Sequence, residues 1–177
     1  RYVENPRAIA LICLDTLKTN EHELIIGAFF HNVAEDTAVF GNSQKIRPYS
    51  EWRAQVGERL TRIFNSNVSE IVIAVTKPDF DGVEIVSKEQ AHDVYLDNLH
   101  AASSKAIILK MADRLHNLRT LNSCSPEKRR RKIMETKIDY FPIFLKVFDD
   151  YPQESAYLFE HICWEIEKLE DLDTANT

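Results

Sequence analysis

Apolar residues along this chain recur at intervals of three and four far more than at every second position, and that rhythm predicts helices. Pro6 suits a first helical turn, and Ile9, Ile12, Leu14 and Leu17 follow at roughly helical spacing until Thr19-Asn20 interrupts. A second helix is expected from about Glu21 to Asp36. Its stretch through Leu24, Ile25, Ile26, Phe29 and Phe30 is apolar almost all round, which marks a central, buried helix. Residues 38–50, with Gly41, Asn42, Ser43 and Pro48, read as a loop. Ser50 is placed to cap a third helix carrying Trp52, Val56, Leu60, Ile63 and Phe64, and Ser66-Asn67 punctuates. Val68 to Thr76 is β-branched enough for a strand by propensity, but its helical neighbours favour a short helix.

Lys77 to Gly82, with Pro78, Asp79 and Asp81, is expected to be a loop. Helices follow over about Lys88 to Ala101 and from Ser103-Ser104 onward, the latter with Ile107, Ile108, Met111, Leu115 and Leu118 facing inward. Ser125-Pro126-Glu127 opens a long helix, with serine as cap and proline at its first position, and Pro142 should kink it. Glu154 to Leu169 completes the set as an amphipathic helix. No repeat, low-complexity segment or domain boundary breaks the pattern. The expectation is an all-α fold, a single-domain helical bundle over residues 1–177. The 4 glycines and 6 prolines are few for a β meander, which spends both on turns, and so favour the same reading.

The net charge of −6 argues against a nucleic-acid polymer as partner, which would need a basic face. It leaves room for a small anionic substrate in a locally basic pocket. Cys13, Cys124 and Cys163 are far apart and odd in number, so reduced thiols in a cytoplasmic protein are expected. No apolar run reaches the roughly 18 residues of a membrane span. The chain opens at Arg1 without a methionine, so residues upstream are expected to have been removed.

Two polar segments interrupt this apolar background: His31-Asn32-Val33-Ala34-Glu35-Asp36-Thr37, and the stretch Lys110 to Leu121 with Asp113, Arg114, His116, Asn117, Arg119 and Thr120. On a helix, His31 shares a face with Glu35, Asn32 with Asp36, and Asp113 with Asn117, with Lys110 adjacent. Imidazoles and carboxylates on an apolar helix are costly to bury unless paired or bound to a metal. Two such clusters suggest one shared polar site. The plainer readings are a satisfied core histidine at His31, a solvated turn at Glu35-Asp36, and a surface ion-pair set at Lys110, Asp113 and Arg114, worth about 0–1 kcal/mol.

The second segment resembles the hydrolase signature of the Rel/Spo alarmone enzymes, in which a lysine, an Ala-Asp-Arg and a following asparagine occur in this arrangement. The first resembles that family's His-Asp (HD) motif followed by Glu-Asp-Thr. Tyr2-Val3-Glu4-Asn5-Pro6 resembles its Tyr-x-x-His-Pro, and Val75-Thr76-Lys77 is a weaker match. Ser125 to Arg129, Glu135-Thr136, Tyr140 and Pro142 extend the likeness in family order. The resemblance implies an HD-type helical fold whose chemistry is loss of the 3′-pyrophosphate from guanosine tetra- or pentaphosphate, with Mn²⁺ as cofactor. It places His31 and Asp113 at metal positions, Glu35 and Asp36 at the pair that handles the attacking water, and Asn117, Thr120 and Lys110 beside the nucleotide. It also places Asn5 and Asn32 where the family has a histidine and an aspartate. An amide oxygen carries no formal charge and is the weaker ligand. The family's N-terminal helix is expected to be missing ahead of Arg1.

Three functions remain open on this reading. The first is a metal-dependent pyrophosphohydrolase on alarmone-like nucleotides, impaired by the two asparagines. The second is a pseudo-hydrolase that binds the nucleotide or regulates a partner, and the third is a purely structural role. A homo-oligomer is compatible with each. The basic run Lys128 to Lys132 is either a steering patch for polyphosphate or a solvated helix face, with the solvated face favoured. Tyr157, Phe159 and Trp164 are expected in a core or on a partner-helix face.

Overall fold

A computed structural model describes residues 4–16, 21–40, 48–79 and 81–174, with the side chains at positions 4, 15, 16, 35 and 36 outside that description. The expectations that rest on Tyr2-Val3, Leu17, Thr19-Asn20 and Gly41-Asn42-Ser43 therefore lie outside the described residues. Among those described, every regular element is helical: α1 (Glu4–Leu11) running into a π-turn (Ile12–Thr16), α2 (His22–Asp36), α3 (Tyr49–Ile63), α4 (Ser66–Val75), α5 (Lys88–His100), α6 (Ser104–Arg119), α7 (Pro126–Glu135), α8 (Phe141–Phe144) and α9 (Pro152–Thr174). None of them is long and apolar enough to cross a membrane. The chain divides into two compact units, Arg1–Leu109 and Lys110–Thr177, with α6 contributing to both.

In the first unit α2 packs against α1 and α4, and α3 against α4. The α2–α4 approach depends on Gly27. A Cβ there would lie 2.7 Å from Ile71 Cγ2 and 3.3 Å from Leu109 Cδ2, so only glycine fits without displacing its neighbours. Phe40, Trp52, Val56, Leu60, Val68, Val72 and Ile85 form an apolar core, with Ile26, Phe30 and Val33 of α2 packed against it. The β-branched stretch is helical, as its neighbours suggested. Its cap is Asn65, whose side chain accepts the Val68 N–H at 2.9 Å, so Ser66 opens the helix instead of ending the one before. Burial of Val68, Ile71, Val72 and Val75 overrides the modest helical penalty of branched side chains.

Ser50 is not the cap of α3. The helix starts two residues earlier than such a cap implies, at Tyr49, with Pro48 at the cap position and no side-chain cap bond. The orphan N–H groups are met from a distant loop instead. Asp81 Oδ2 accepts the Tyr49 N–H at 2.6 Å, and Glu84 accepts both the N–H and the hydroxyl of Ser50. Asp81 Oδ1 also accepts the N–H groups of Val83, Glu84 and Ile85 at 2.7–3.0 Å. Burial disfavours the charge on Asp81, but these backbone donors outweigh it and hold the carboxyl below its ordinary range.

In the second unit Ser125 caps α7 as expected, with Pro126 at the start of the helix. The helical line then widens into a π-turn at Thr136–Tyr140, continues as α8 with Pro142 in its first turn, and tightens into a 3₁₀ turn at Leu145–Val147. The disturbance expected at Pro142 thus takes the form of a π-turn just before it, where a proline without an N–H relaxes the ladder. Helix α9 is longer at both ends than its sequence pattern suggested. Phe159 packs against Phe141 and Phe148, whereas Trp164 is exposed beneath Lys168.

Candidate active site

Helix α2 carries His31 on its buried side, where 3% of the residue is exposed. The imidazole Nδ1 lies 2.7 Å from the Ala28 carbonyl oxygen one turn back. A carbonyl only accepts, so Nδ1 carries the proton, and a neutral ring then holds its lone pair on Nε2. A metal-binding histidine is oriented in this way, with the far nitrogen donating to backbone. Thr76 at the end of α4 donates to the Val72 carbonyl at 2.7 Å, with the His31 carbonyl 3.5 Å from the same hydroxyl.

Asn5 lies on α1, packed against α2. Its Oδ1 is buried and accepts no hydrogen bond among the described residues. A buried amide oxygen without a donor is costly, and it is an acceptor for whatever cation or donor reaches it. Asn32, half-buried, follows His31. Glu35 and Asp36 belong to the last turn of α2, and their side chains lie outside the described residues.

The second unit brings Lys110, Asp113 and Asn117 together on α6. Lys110 Nζ stands 2.8 Å from Asp113 Oδ2, and Asn117 Nδ2 donates to Asp113 Oδ1 at 2.9 Å. Both carboxylate oxygens therefore accept from side chains of the same helix at the spacings the sequence suggested. Thr120 joins through its hydroxyl, which donates to the Asn117 carbonyl at 2.8 Å. The surface ion-pair reading is corrected here: Lys110, Asp113 and Arg114 are 4–6% exposed. His116 beside them is held below the ordinary imidazole range by burial, against the opposing pull of Asp113.

Two residues to which the sequence gave no role, Glu135 and Tyr140, complete this cluster together with Lys132 of the basic run. Arg114 Nη2 lies 2.9 Å from Glu135 Oε1, and Lys132 Nζ lies 2.5 Å from Glu135 Oε2. Burial raises the Glu135 carboxyl, but the Lys132 and Arg114 cations bring it down to about 2. The Tyr140 ring, fully buried, has the Arg114 guanidinium carbon 4.0 Å and the Lys110 ammonium 5.6 Å from its centroid. The signal was present in the Glu135-Thr136 and Tyr140 likeness, but sequence gives no contact. The basic run is also resolved in part. Arg129 is buried, paired with Asp173 and donating to the Cys124 carbonyl, while Lys128, Arg130 and Arg131 are exposed.

A helical chain with a buried His31 followed by Asn32 on one helix and a buried Ala-Asp-Arg on another matches the HD domain family over residues 1–143, and the chain belongs to that family. Its relatives include a guanosine-3′,5′-bis(diphosphate) 3′-pyrophosphohydrolase of Haemophilus influenzae, 32% identical over 145 residues, covering 80% of this chain and 18% of that protein. They also include the bifunctional (p)ppGpp synthase/hydrolase SpoT of Escherichia coli, 31% identical with the same two coverages. A guanosine-3′,5′-bis(diphosphate) 3′-pyrophosphohydrolase, MESH1 of Danio rerio, is 27% identical over 126 residues, covering 71% of this chain and 58% of that protein. The chain thus spans less than a fifth of the two bacterial relatives.

The family implies a divalent metal ion. His31 suits such an ion by its tautomer and Asn5 by its undonated oxygen. The set is nonetheless poor in charge, and among the described residues no three His, Cys, Asp or Glu side chains gather as ligands.

Proposed function

We propose that this domain binds guanosine 3′,5′-bis(diphosphate)-type nucleotides and is built to remove their 3′-pyrophosphate, with turnover held low by the amides at positions 5 and 32. The observation that carries this reading is His31: a buried imidazole whose Nδ1 is committed to Ala28 and whose Nε2 bears the lone pair. His31 and Asp113 would be the strong ligands of a divalent ion, Mn²⁺ by family likeness, with Asn5 and Asn32 as weak ones. When bound, the ion would supply Lewis acidity and a more acidic water. Glu35 or Asp36 would take the proton of the attacking water. Asn117, Thr120 and Lys110 would hold the nucleotide. A cytoplasmic location and reduced cysteines accompany this reading.

A second reading, nucleotide binding without cleavage, is favoured by one specific observation. Both oxygens of Asp113 already accept from Lys110 and Asn117, and two of the four expected ligands are neutral amides. Ligand restoration separates the two. In Asn5→His with Asn32→Asp, manganese content and pyrophosphate release from guanosine tetraphosphate should both rise sharply, and more than the two single changes together. A double variant that binds manganese yet leaves guanosine tetraphosphate intact supports binding without cleavage. One that fails to bind manganese overturns the placement of Asn5 and Asn32 at ligand positions.

A further inference from the structure

Glu135 and Tyr140 belong to a motif that the proposed chemistry leaves without a task, although Tyr140 lies against Lys110 and Glu135 pairs with the Arg114 that follows Asp113. The problem they address is local. Asp113 has two cationic near neighbours on its own helix, Lys110 one turn earlier and Arg114 immediately after it. Lys110 is bonded to Asp113, whereas Arg114 is turned away to Glu135. Adjacent helical side chains do not face each other, so Arg114 could reach the Asp113 carboxylate only by bending its long side chain back, and a firm partner elsewhere closes that option.

Glu135 supplies that alternative partner. It comes from the end of α7, and Lys132 on the same helix fixes its second oxygen. Tyr140, a few residues on in the π-turn, adds the second constraint. The face of its ring sits 4.0 Å from the Arg114 guanidinium carbon, and the same ring lies 5.6 Å from the Lys110 ammonium. A lysine has four rotatable bonds and is held in one place only by its surroundings. One buried aromatic ring therefore restrains both cations that flank Asp113.

We propose that Tyr140 and Glu135 are positioning residues for Asp113: Glu135 holds Arg114 off the carboxylate, and the Tyr140 ring keeps Lys110 on it. The functional weight of the arrangement rests on the reading of Asp113 as a site residue. The arrangement itself does not.

The test reads Lys110 directly. The intact chain is treated with an acetylating N-hydroxysuccinimide ester, and acetylation of Lys110 is followed by mass spectrometry, with exposed Lys128 as internal reference. Tyr140→Leu should speed labelling of Lys110 by roughly tenfold, because it opens a locally closed site. Tyr140→Phe keeps the ring and should leave Lys110 protected. Glu135→Gln keeps an acceptor but loses the charge, and should fall between the two. Calorimetry with guanosine tetraphosphate gives the second readout, where affinity should drop in Tyr140→Leu and be retained in Tyr140→Phe. If Tyr140→Leu fails to fold, Glu135→Gln decides, and labelling equal to the parent overturns the proposal. Labelling of Tyr140→Leu at the parent rate, or of Tyr140→Phe at the Leu rate, overturns it too. A parent that binds no guanosine tetraphosphate while Lys110 labelling follows Tyr140 sinks the nucleotide reading and leaves the positioning role standing.

Discussion

Asp113 concentrates the residue-scale question, because its two oxygens are divided between an ammonium and an amide. Asn117→Ala removes the amide and leaves Oδ1 to water or to a ligand. Lys110 still neutralises the charge, so the loss should reach binding more than stability. Guanosine tetraphosphate affinity is expected to fall about tenfold, while unfolding free energy changes by about 1 kcal/mol. Calorimetry beside a urea titration checks this, and a large stability loss with unchanged affinity would make Asn117 structural. The spacing of Lys110, Asp113 and Asn117 was legible in the sequence, since residues three and four apart share a helix face. Their burial was not. The cover over Lys110 comes from Tyr140, thirty residues downstream, and the same three side chains on an exposed helix would read identically. Asn5 shows the converse. Its place in the motif was legible, whereas the undonated Oδ1 follows from packing alone.

At the scale of elements, the contact between α2 and α4 is set by Gly27. Gly27→Ala would gain helix propensity but push a Cβ to within 2.7 Å of Ile71 Cγ2, which must then shift. Overpacking should win, with a net loss of about 1–3 kcal/mol in chemical unfolding. Ile71→Leu, which lacks the γ2 methyl that the new Cβ meets, would relieve the clash and recover part of the loss, and additive effects of the two changes would contradict the account. The start of α3 depends on Asp81 in a comparable way. Because its folded pKa is depressed, its stabilising effect is complete above the ordinary aspartate value near about 4 and is lost as pH falls through the lower folded value. Asp81→Asn should therefore cost about 1–3 kcal/mol at neutral pH, with the gap to the parent narrowing in acid. Urea midpoints of both proteins at neutral and strongly acid pH measure it, and a gap independent of pH would exclude a charged role. The sequence periodicity located the helices well because most bury one apolar stripe. It erred at Ser50 because the donors of that first turn are met from residues over thirty positions away, which no local cap rule registers.

At the scale of the whole molecule, the two asparagines become a matter of linkage between metal and folding. The chain carries a net charge of −6, and part of its basic run is spent internally, with Arg129 on Asp173 and Lys132 on Glu135. A general attraction for cations is thus available to the parent, but it is spread over the surface, screened by salt, and no substitute for coordinated ligands. An ion that binds only the folded chain stabilises it by RT ln(1 + [L]/Kd), about 2.7 kcal/mol at a hundredfold excess over Kd. For a chain of 177 residues each kcal/mol moves the midpoint by roughly 2–4 °C, so the expected rise is roughly 5–11 °C. The variant carrying both Asn5→His and Asn32→Asp should show this rise with manganese at moderate ionic strength. The parent should show almost none, and each single variant should fall well short of half the double effect, because ligands of one ion act together. Magnesium, which keeps its waters and prefers oxygen ligands, should shift the midpoint less than manganese, since the restored set contains two imidazoles. The measurement is the thermal midpoint of all four proteins with each ion and with chelator. A parent that already shifts as far as the double variant would mean that amide oxygens at positions 5 and 32 suffice. A double variant that ignores manganese would place the ligands elsewhere in the chain.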